Sequence, residues 1–575
     1  MAEAALSLDA AVARITATDP RFRVTEAVIR GQRQRVFETA PPHLRALFED
    51  AAAAYGDGDA LVYAQERWSY AQLRRDVARL SHAMRRELGL RRGDRVGLAL
   101  RNYPEMVILF LAAAASGLVA VPLNAWWSGE ELSQAIRDGD LAVVFADGPR
   151  AARLRAQPAL AHLRLIGVRE ADTETDTGYT ALRDRADDSW PDVAIEPEDD
   201  LAIMFSSGST GAPKGVLQTH RNAISAVWSW MMGREMAPLL AGTPAAAPKY
   251  PPAWLVPSPL FHVTALYANV IQGLACGAKL ALMYKWDTGE AIRLIRDERI
   301  TRVSGVPTQT ADLAAAVAAQ GLSFDHLEAV GGGGSSRPAA QVRQLHEVFL
   351  NAVPGIGWGM SETCALGIIL SGPEYLANPE AAGRLTPPLQ QMKIVDAEGR
   401  EVPEGEVGEL LVRGPSVMRG YLNQPEETAR ALRDGWLHTG DLVRIGAGGL
   451  IHIVDRKKCI VIRAGENVSC LEVENALHDH PDIAEACVFP VPHPRLGETV
   501  GAAIYAPGRP QLDDRAVTGF LQDRLAHFKL PERLWFRSAP LPRGATDKID
   551  RTAIRHDCLA QGCRPDAKGE LAHGL

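Results

Sequence analysis

One segment carries residue types that suit a polyphosphate. The sequence SSGSTGAPKG, residues 206–215, follows the apolar run LAIMF and precedes a helix-like stretch that contains Thr219 and Asn222. Glycines let backbone N–H groups approach an anion without a Cβ in the way, while hydroxyl groups and one ammonium add donors and a positive charge. A triphosphate is the ligand that this composition favours, and a mobile surface turn is the alternative. The predicted phosphate-binding residues are Ser207, Gly208, Ser209, Thr210, Gly211 and Lys214.

This segment differs from the GxxxxGK[ST] loop, because Pro213 precedes Lys214 and Gly215 follows it. It is similar instead to the signature loop of the adenylate-forming superfamily of acyl-CoA synthetases, luciferases and peptide-synthetase adenylation domains. Later segments resemble the other motifs of that superfamily in the same order: VGGGGSS, GWGMSET, WLHTGDL and LPRGATDKIDR. The resemblance covers about residues 44–551 and identifies the chain as a member, in the acyl-CoA synthetase branch.

The resemblance implies an ATP-dependent ligase. Such an enzyme replaces the charged oxygen of a carboxylate with AMP, releases pyrophosphate, and then passes the acyl group to a thiol. The implied cofactors are ATP, Mg²⁺ and coenzyme A, and the implied substrate is a fatty or other hydrophobic carboxylic acid. Two alternatives stay open: delivery to a carrier protein or another acceptor, and a nucleotide-binding protein with weakened catalysis.

Two of the motifs imply the adenine and phosphate contacts. By resemblance, the glycines of VGGGGSS form a flat shelf under adenine, and an ordinary glycine loop is the alternative. Trp358 is placed to stack on adenine and Ser361 to donate to phosphate. Glu362 and Thr210 are the implied Mg²⁺ ligands and catalytic residues. Gly332, Gly333, Gly334, Gly359 and Met360 complete the implied nucleotide set.

The ribose contacts and the interdomain hinge follow in the chain. The resemblance places Asp441 of WLHTGDL at the ribose hydroxyls, where a carboxylate accepts two hydrogen bonds. Arg456 of VDRKK is the second implied ribose or phosphate contact, and Lys458 lies at the implied hinge. Solvated surface positions are the alternative for all three.

Lys548 of LPRGATDKIDR is the implied adenylation catalyst and a nucleotide contact. Attack of a carboxylate on the α-phosphorus gathers negative charge, which an ammonium stabilises. The motif departs from the superfamily pattern, with Gly544 where Thr or Asn is usual and Asp547 where Gly is usual. A carboxylate next to Lys548 would hold the ammonium back from the nucleotide or raise its pKa.

The acid site is the least specified part of the sequence. By resemblance, His262 in SPLFHVTAL is a gate beside the acyl carboxylate, and a packed loop histidine is the alternative. Val263 stands where amino-acid-activating domains carry Asp, which disfavours an α-amino acid. Trp228, Trp230 and Gly305 predict an apolar pocket.

The elements that must position these residues alternate between helix and strand. Continuous apolar runs such as VGLAL, LAVVFA and LAIMF predict strands buried on both faces of a largely parallel sheet. Such sheets bind ligands at the carboxyl ends of their strands. With the resemblance, they predict the α/β class: a large N-terminal domain of two α/β sheets plus a β-rich subdomain, hinged to a small α+β C-terminal domain.

The predicted boundaries follow changes in pattern along the chain. The N-terminal domain is residues 1–455, with the alternating, Gly-punctuated stretch at about 386–455 as its β-rich subdomain. By resemblance to the superfamily, the hinge is 456–458 and the C-terminal domain, 459–575, is mobile. The resemblance also implies that in the second reaction step this domain presents Gly465, an implied cofactor contact, and its neighbours to the pantetheine arm of coenzyme A.

Composition excludes several other classes. A chain of 575 residues exceeds one hydrophobic core, and a net charge of −8 with scattered basic residues disfavours nucleic acid. Seven cysteines without a CxxC pair fit a reduced, cytoplasmic protein, in which Cys459 and Cys470 are expected to pack. The uncharged stretch 106–123 is interrupted by Gly117 and predicts a buried helix and strand, so no transmembrane segment is expected. The sequence allows a homodimer.

Overall fold

The computed structural model describes residues 5–169, 175–206, 213–242, 249–457, 459–463, 466–509, 511–544 and 547–561. The chain forms two compact units, Met1–Lys393 with Leu411–Thr439, and Ile394–Leu410 with Gly440–Leu575. The divisions fall inside the strands Gln391–Val395, Gly408–Arg413 and Trp436–Ile445. The domain boundaries and the hinge at 456–458 stay predictions.

The larger unit contains an eight-stranded sheet. Its order is Gly420–Tyr421, Lys214–Thr219, Asp200–Ser206, Val119–Pro122, Arg95–Ala99, Val143–Asp147, Arg164–Val168 and Thr177–Gly178. Neighbouring strands are parallel from Asp200–Ser206 onward, and Lys214–Thr219 is antiparallel to both of its neighbours. Val143–Asp147 and Val119–Pro122 are buried along their whole length, as a sheet covered on both faces requires. The predicted parallel sheet is confirmed.

A nine-stranded sheet forms the second half of this unit. Its order is Arg384–Leu385, Ile368–Ser371, Val353–Trp358, Ala329–Gly333, Arg302–Gly305, Ala253–Val256, Lys279–Leu282, Asp59–Tyr63 and Glu66–Ser69. Six consecutive strands, from Val353–Trp358 to Asp59–Tyr63, are parallel, and antiparallel strands flank them. Both sheets therefore present several strand carboxyl ends together, the edge at which ligands bind.

Helices cover the sheets of the larger unit. The helix Pro104–Ala115 is buried at every residue, which explains its unbroken apolar sequence. No helix in the described part of the chain is both long and apolar enough to cross a membrane. The other helices are Leu8–Thr18, Leu44–Tyr55, Tyr70–Arg86, Gly129–Gly139, Gly148–Arg155, Tyr179–Arg185, His220–Ala241, Val263–Ala265, Leu266–Ile271 (a π-helix), Gln272–Ala275, Thr288–Asp297, Pro307–Ala319, Ala339–Val348, Gly372–Ala377 and Pro425–Ala431.

The N-terminal residues form a helix and a hairpin on the larger unit. The strands Val24–Ile29 and Gln32–Phe37 pair antiparallel around a turn in which Arg30 and Gly31 both have positive φ. Helix Leu8–Thr18 packs in a cluster that includes Trp228, whose indole N–H donates to the carbonyl of Arg21 at 3.1 Å. The Trp228 ring thereby anchors the N-terminal segment, and its contribution to an acid pocket stays a prediction.

The smaller unit has its own core beneath a five-stranded sheet. The strands are Glu466–Ser469, Ile460–Arg463, Gly497–Tyr505, Glu485–His493 and Arg533–Arg537, and the helices are Cys470–His478, Asp514–Gln522 and Arg551–Ala560. Cys470 is fully buried in this core and Cys459 packs against it, so the predicted packing role of both is confirmed. The strand Ile451–Arg456 lies outside this sheet and pairs antiparallel with the second half of Trp436–Ile445. The short strand Leu432–Arg433 pairs with the first half of Trp436–Ile445 in the larger unit. The predicted mixed α/β class is confirmed.

A buried histidine makes the larger unit sensitive to acid. His220 has no exposed surface, and its Nδ1 accepts the backbone N–H of Leu44 at 3.1 Å, which a protonated Nδ1 could not do. Burial, and then the neighbouring His43, lower the pKa of His220 to about 3. Near pH 6.5 this histidine takes up a proton in the unfolded chain but not in the folded chain. The free energy of unfolding therefore falls as pH falls from about 6.5 toward 3.

We expect the free energy of unfolding to fall by up to ~1.4 kcal/mol for each pH unit over that window on account of this one group. Urea unfolding at several pH values measures the slope. His220→Asn keeps an acceptor and should flatten it, whereas His162→Asn at an exposed position should leave it unchanged. Identical slopes in all three proteins would contradict this role.

Candidate active site

The predicted phosphate segment lies at the end of a β-hairpin. Asp200–Ser206 pairs antiparallel with Lys214–Thr219, and Ser206 is the partner of Lys214. The sequence predicted a helix directly after the loop, but a strand intervenes and the helix begins at His220, with Thr219 and Asn222 forming a capping box. The predicted residues Ser207, Gly208, Ser209, Thr210 and Gly211 lie outside the described residues.

Lys214 is held at the described end of this hairpin. Its Nζ lies 2.6 Å from a carboxylate oxygen of Glu427 and 5.1 Å from the ring centroid of Tyr421. The side chain is 19% exposed, so its ammonium is positioned but accessible. A group of this kind binds a phosphate oxygen as a point charge.

The glycine run belongs to the nine-stranded sheet, and its backbone touches neighbouring strands. A Cβ on Gly332 would lie 1.5 Å from the carbonyl oxygen of Gly305, and one on Gly333 would lie 2.1 Å from that of Gly357. Close backbone packing therefore requires glycine at both positions. Gly334, at the exposed carboxyl end, has a φ of +90°. The adenine-binding role of these residues stays a prediction.

The aromatic motif continues from the neighbouring strand, which ends at Trp358. A Cβ on Gly367 would lie 2.6 Å from the Trp358 indole, and one on Gly359 would lie 2.1 Å from the carbonyl oxygen of Ala365. The chain can therefore fold back on itself between Trp358 and Gly367 only with glycine at these two positions. Met360 precedes a short 3₁₀ turn, Ser361–Thr363.

Glu362 is the buried carboxylate of this turn, at 7% exposure. The hydroxyl of Tyr421 donates to its Oε1 at 2.8 Å. Burial and the nearby Glu362 carboxylate raise the pKa of Tyr421, so the phenol keeps its proton and remains a donor. Tyr421 was not predicted from the sequence, although it joins Lys214 to Glu362.

The segment that carries Tyr421 is fixed from two sides. Arg30 of the N-terminal hairpin donates to the carbonyls of Val417, at 2.9 Å, and Met418. The amide of Asn222 also donates to the Val417 carbonyl, and the Met418 N–H donates to the carbonyl of Glu362 at 2.8 Å. Backbone and side chain of Glu362 are thus both held by this one segment.

A buried polar pair connects the hairpin to the same turn. The amide of Gln218 donates to the Ser361 carbonyl at 2.6 Å, and the hydroxyl of Tyr267 donates to the Gln218 Oε1 at 2.7 Å. Gln218 and Tyr267 are both fully buried. Because Tyr267 lies in the π-helix that follows His262, this pair links the phosphate hairpin to the segment after the predicted gate.

His262 ends a loop that is tied to the other sheet. The side chain of Asn102 donates to the carbonyl of Ser258 and accepts the N–H of Leu260, both at 2.9 Å. The His262 ring lies 4.5 Å from that of Phe261, centroid to centroid. The position of the loop is therefore fixed, and the gating role of His262 stays a prediction.

In the smaller unit, the two predicted ribose residues face each other across paired strands. Asp441 is the register partner of Arg456, and the Arg456 Nε lies 2.9 Å from the Asp441 Oδ1. The Asp441 side chain is 2% exposed and that of Arg456 is 58% exposed. Glu409 accepts the backbone N–H of Gly440 at 3.1 Å and pairs with Lys457 at 2.8 Å, which fixes the turn before Asp441. Lys458 and Gly465 lie outside the described residues.

Lys548 lies on a tight hairpin. Its carbonyl accepts the N–H of Gly544 at 2.8 Å, and Arg543 bridges to Ile549 across the turn. The Asp547 N–H donates to the Gly544 carbonyl at 3.0 Å, and its φ of +62° is left-handed. Glycine is usual at this point of the superfamily because it adopts this φ without strain, and Asp is one of the few other residues that does so readily.

The expectation that Asp547 raises the pKa of Lys548 is wrong, and the alternative, that its carboxylate holds the ammonium back, stays a prediction. Burial, together with the charge of Arg456, lowers the pKa of Lys548 to about 8, whereas a dominant carboxylate would have raised it. Asp547 has its backbone carbonyl engaged by Arg543 at 2.9 Å, which is a turn contact. The catalytic role of Lys548 stays a prediction.

Comparison with known proteins places these motifs in a family context. The sequence model of the AMP-binding enzyme family matches residues 48–422, and that of the AMP-binding enzyme C-terminal domain matches residues 472–548. Feruloyl-CoA synthase of an Amycolatopsis species is 33% identical over 488 residues, which are 85% of this chain and 93% of that protein.

Two further matches extend the comparison. Indoleacetate–CoA ligase of Aromatoleum aromaticum is 32% identical over 499 residues, which are 86% of this chain and 94% of that protein. The solved structure of a Mycobacterium tuberculosis fatty acyl CoA synthetase superposes with a TM-score of 0.69 at 28% identity, over 90% of this chain and 99% of that one.

The turn role of Asp547 predicts a specific order of stability. Asp547→Asn should match the parent protein, because Asn also tolerates a left-handed φ, and Asp547→Gly should be equally or more stable. Asp547→Ala should lower the free energy of unfolding by about 1 kcal/mol. Calorimetric unfolding of the full chain measures the series. If Asp547→Asn lost as much free energy of unfolding as Asp547→Ala, the carboxylate of Asp547 rather than its backbone conformation would determine the stability of the turn.

Proposed function

Because the chain belongs to the AMP-binding enzyme family and is an AMP-forming acyl-CoA synthetase, which activates a carboxylic acid with ATP and transfers the acyl group to coenzyme A, we propose that its acid is hydrophobic, either aromatic or fatty. The similar proteins named for ferulate, indoleacetate and fatty acyl substrates support this class. Val263, which offers no carboxylate to an α-amino group, supports it too.

The observation that carries the site assignment is the Lys214–Tyr421–Glu362 arrangement. A positive group, a fixed phenol and a buried carboxylate meet at the end of the phosphate hairpin. This set suits a triphosphate whose charge is shared between an ammonium and a metal ion. We assign it to the phosphates of ATP.

Mg²⁺ fits this set. In nucleotide enzymes the ion is usually bound by one or two carboxylates plus substrate phosphates and water, and Glu362 supplies one oriented carboxylate. The described residues contain no group of three or more His, Cys, Asp or Glu side chains that would hold a metal without the nucleotide. When bound, the ion would neutralise phosphate charge, with Glu362 and Thr210 as the proposed ligands.

The first reaction step joins the acid to AMP. A carboxylate oxygen attacks the α-phosphorus, the bond to the bridging oxygen breaks, and pyrophosphate leaves. We propose that the ammonium of Lys548 stabilises the negative charge that develops around that phosphorus. Asp441 and Arg456 are assigned to ribose, and Trp358 to adenine.

The second step transfers the acyl group. The thiol of coenzyme A attacks the acyl carbon, AMP leaves, and the thiol proton passes to solvent. A mixed anhydride is reactive enough for positioning to supply much of the rate. We propose a cytoplasmic location from the cysteine content, and the homodimer stays a prediction.

ATP–pyrophosphate exchange over a panel of fatty, aromatic and amino acids tests the substrate class. We expect exchange with hydrophobic acids and, on addition of coenzyme A, the matching thioester. Exchange with α-amino acids alone would overturn the proposed class.

Lys548 is expected to serve the first step only. Lys548→Ala should lose exchange by about 10²-fold or more yet convert supplied acyl adenylate to thioester at the parent rate. Because the ammonium is charged below its pKa of about 8, kcat/KM for ATP should fall as pH rises through 8, and Lys548→Arg should move that fall to higher pH. Equal loss of both steps in Lys548→Ala would refute the assignment.

Tyr421 is expected to orient Glu362 toward the metal. Tyr421→Phe removes one hydrogen bond to a charged acceptor and should raise the Mg²⁺ concentration for half-maximal exchange about three- to ten-fold. Titration of Mg²⁺ at saturating ATP and acid measures it. The control Tyr505→Phe, on a strand of the smaller unit, should leave the requirement unchanged. An unchanged Mg²⁺ requirement in Tyr421→Phe would contradict the proposal that Tyr421 orients Glu362.

A further inference from the structure

Two cysteines of the smaller unit lie at opposite ends of one β-hairpin. The strands between residues 460 and 469 pair antiparallel, and the pairing begins with Ile460 opposite Ser469. Cys459 precedes the first strand and Cys470 follows the second, so they are the next pair when the register is continued. Cross-strand neighbours have Cα atoms about 4.5–5.5 Å apart, and a disulfide spans Cα atoms about 4.4–6.8 Å apart.

Both cysteine side chains also lie on the same face of the sheet. Side chains alternate along a strand, and Val461 and Val468, each two residues from one of the cysteines, are fully buried in the core of the smaller unit. Cys470 is fully buried in the same core and Cys459 packs against it. The two thiols therefore have the register and the orientation that a disulfide needs.

A third cysteine of this unit is separated from the pair. Cys487 is buried in a second cluster that contains Phe489 and Trp535. Its neighbours along the strand, Ala486 and Val488, belong to the core that holds Cys470. Because side chains alternate along a strand, Cys487 faces the other side of the sheet.

Asp455 already connects the preceding strand to the residues around Cys470. Its Oδ2 accepts the hydroxyl of Ser469 and the backbone N–H of Leu471, both at 3.0 Å. These two residues flank Cys470, the first residue of the helix Cys470–His478. One end of the segment 455–459 is thus held at the start of that helix.

The other end of this segment would be held by a bond from Cys459 to Cys470. The chain turns just before Cys459, whose backbone N–H donates to the carbonyl of Arg456 at 2.8 Å. The predicted hinge, 456–458, lies inside the segment. A hinge works by changes in φ and ψ at a few residues, so fixing both ends of so short a segment restrains it.

Exposure and charge determine how the pair reacts. Cys459 is partly exposed, so a small oxidant reaches it first, whereas Cys470 is enclosed. Burial raises the pKa of both thiols, and the nearby guanidinium of Arg551 offsets only part of this rise in pKa. The thiols are therefore mostly protonated at neutral pH and react slowly. Disulfides that do form in cytosolic proteins are usually transient and either catalytic or redox-sensing.

We propose that a small disulfide such as glutathione disulfide oxidises Cys459 and Cys470 to a disulfide bond that restrains the segment 455–459. The Cys459 thiolate attacks one sulfur of the oxidant and releases a glutathione thiolate. The Cys470 thiolate then attacks the Cys459 sulfur and releases the second. The two cysteines lose two electrons to the oxidant, and their two protons end on the two glutathione thiols. The effect on catalysis rests on the proposed two-step reaction and its hinge, whereas the bond itself does not.

Peptide mapping of the full chain tests the bond. After alkylation of free thiols, trypsin and a glutamate-specific protease place Cys459 in peptide 459–463 and Cys470 in peptide 467–472. Incubation with glutathione disulfide should join these peptides, and dithiothreitol should separate them. Cys470→Ser should instead retain one glutathione on Cys459. The matched control Cys276→Ser, at a partly exposed cysteine of the larger unit, should leave the joined peptides unchanged.

The effect on catalysis is measured on the same samples. Oxidation should slow thioester formation from acid, ATP and coenzyme A about three- to ten-fold, because the hinge has to move in every turnover. ATP–pyrophosphate exchange, and acyl transfer from supplied acyl adenylate, should each change less than about two-fold, because neither step alone needs that movement. Cys459→Ser should keep the reduced rate when glutathione disulfide is present.

Three outcomes would contradict different parts of this account. Absence of the joined peptides, or a link from Cys459 to Cys487, overturns the proposed disulfide. Joined peptides with an unchanged rate of thioester formation overturn its effect on the hinge. Loss of exchange in the reduced parent protein would instead refute the assigned acid activation, while the peptide map still decides whether the disulfide forms.

Discussion

The hydrogen bond from Tyr421 to Glu362 joins two segments that lie far apart in the sequence. A buried carboxylate without a donor would be destabilising, so the phenol both satisfies it and decides which way it faces. The phenol is held in turn by the pairing of Gly420–Tyr421 with the phosphate hairpin and by contacts from Arg30 and Asn222 to the segment before it. The geometry of the phosphate end of the site therefore depends on residues from four separate regions of the larger unit.

This dependence explains what the sequence could and could not predict. The buried parallel strands were readable because an apolar run has one stable use in a two-sided sheet, and the motif residues were readable from a resemblance. Tyr421 was not, since its strand is two residues long and carries no period, and its partner Glu362 is distant in sequence. Arg30 lies before the range matched by the family model, so only the fold shows what its guanidinium contacts. The contact of Trp228 with the N-terminal segment was not predicted either, because an indole in an apolar helix gives the same sequence pattern whether it lines a pocket or anchors another segment.

Asp547 shows a different limit of sequence reasoning. A charged residue beside the predicted catalyst invited an electrostatic interpretation, and the backbone supplies a simpler one, because the turn requires a left-handed residue. Burial and Arg456 then determine the pKa of Lys548. A departure from a family pattern thus has to be compared with the φ of its position before its charge is considered.

The glycine run has a consequence for attempts to change what this enzyme accepts. Since Gly332 and Gly333 face neighbouring backbone at distances that no methyl group fits, these positions cannot be used to reshape the site, however close to a ligand they lie. Natural drift and laboratory selection alike are confined to the surrounding side chains and to the exposed end of the run. Part of the site is in this sense a fixed template, and diversity among such enzymes has to arise around it.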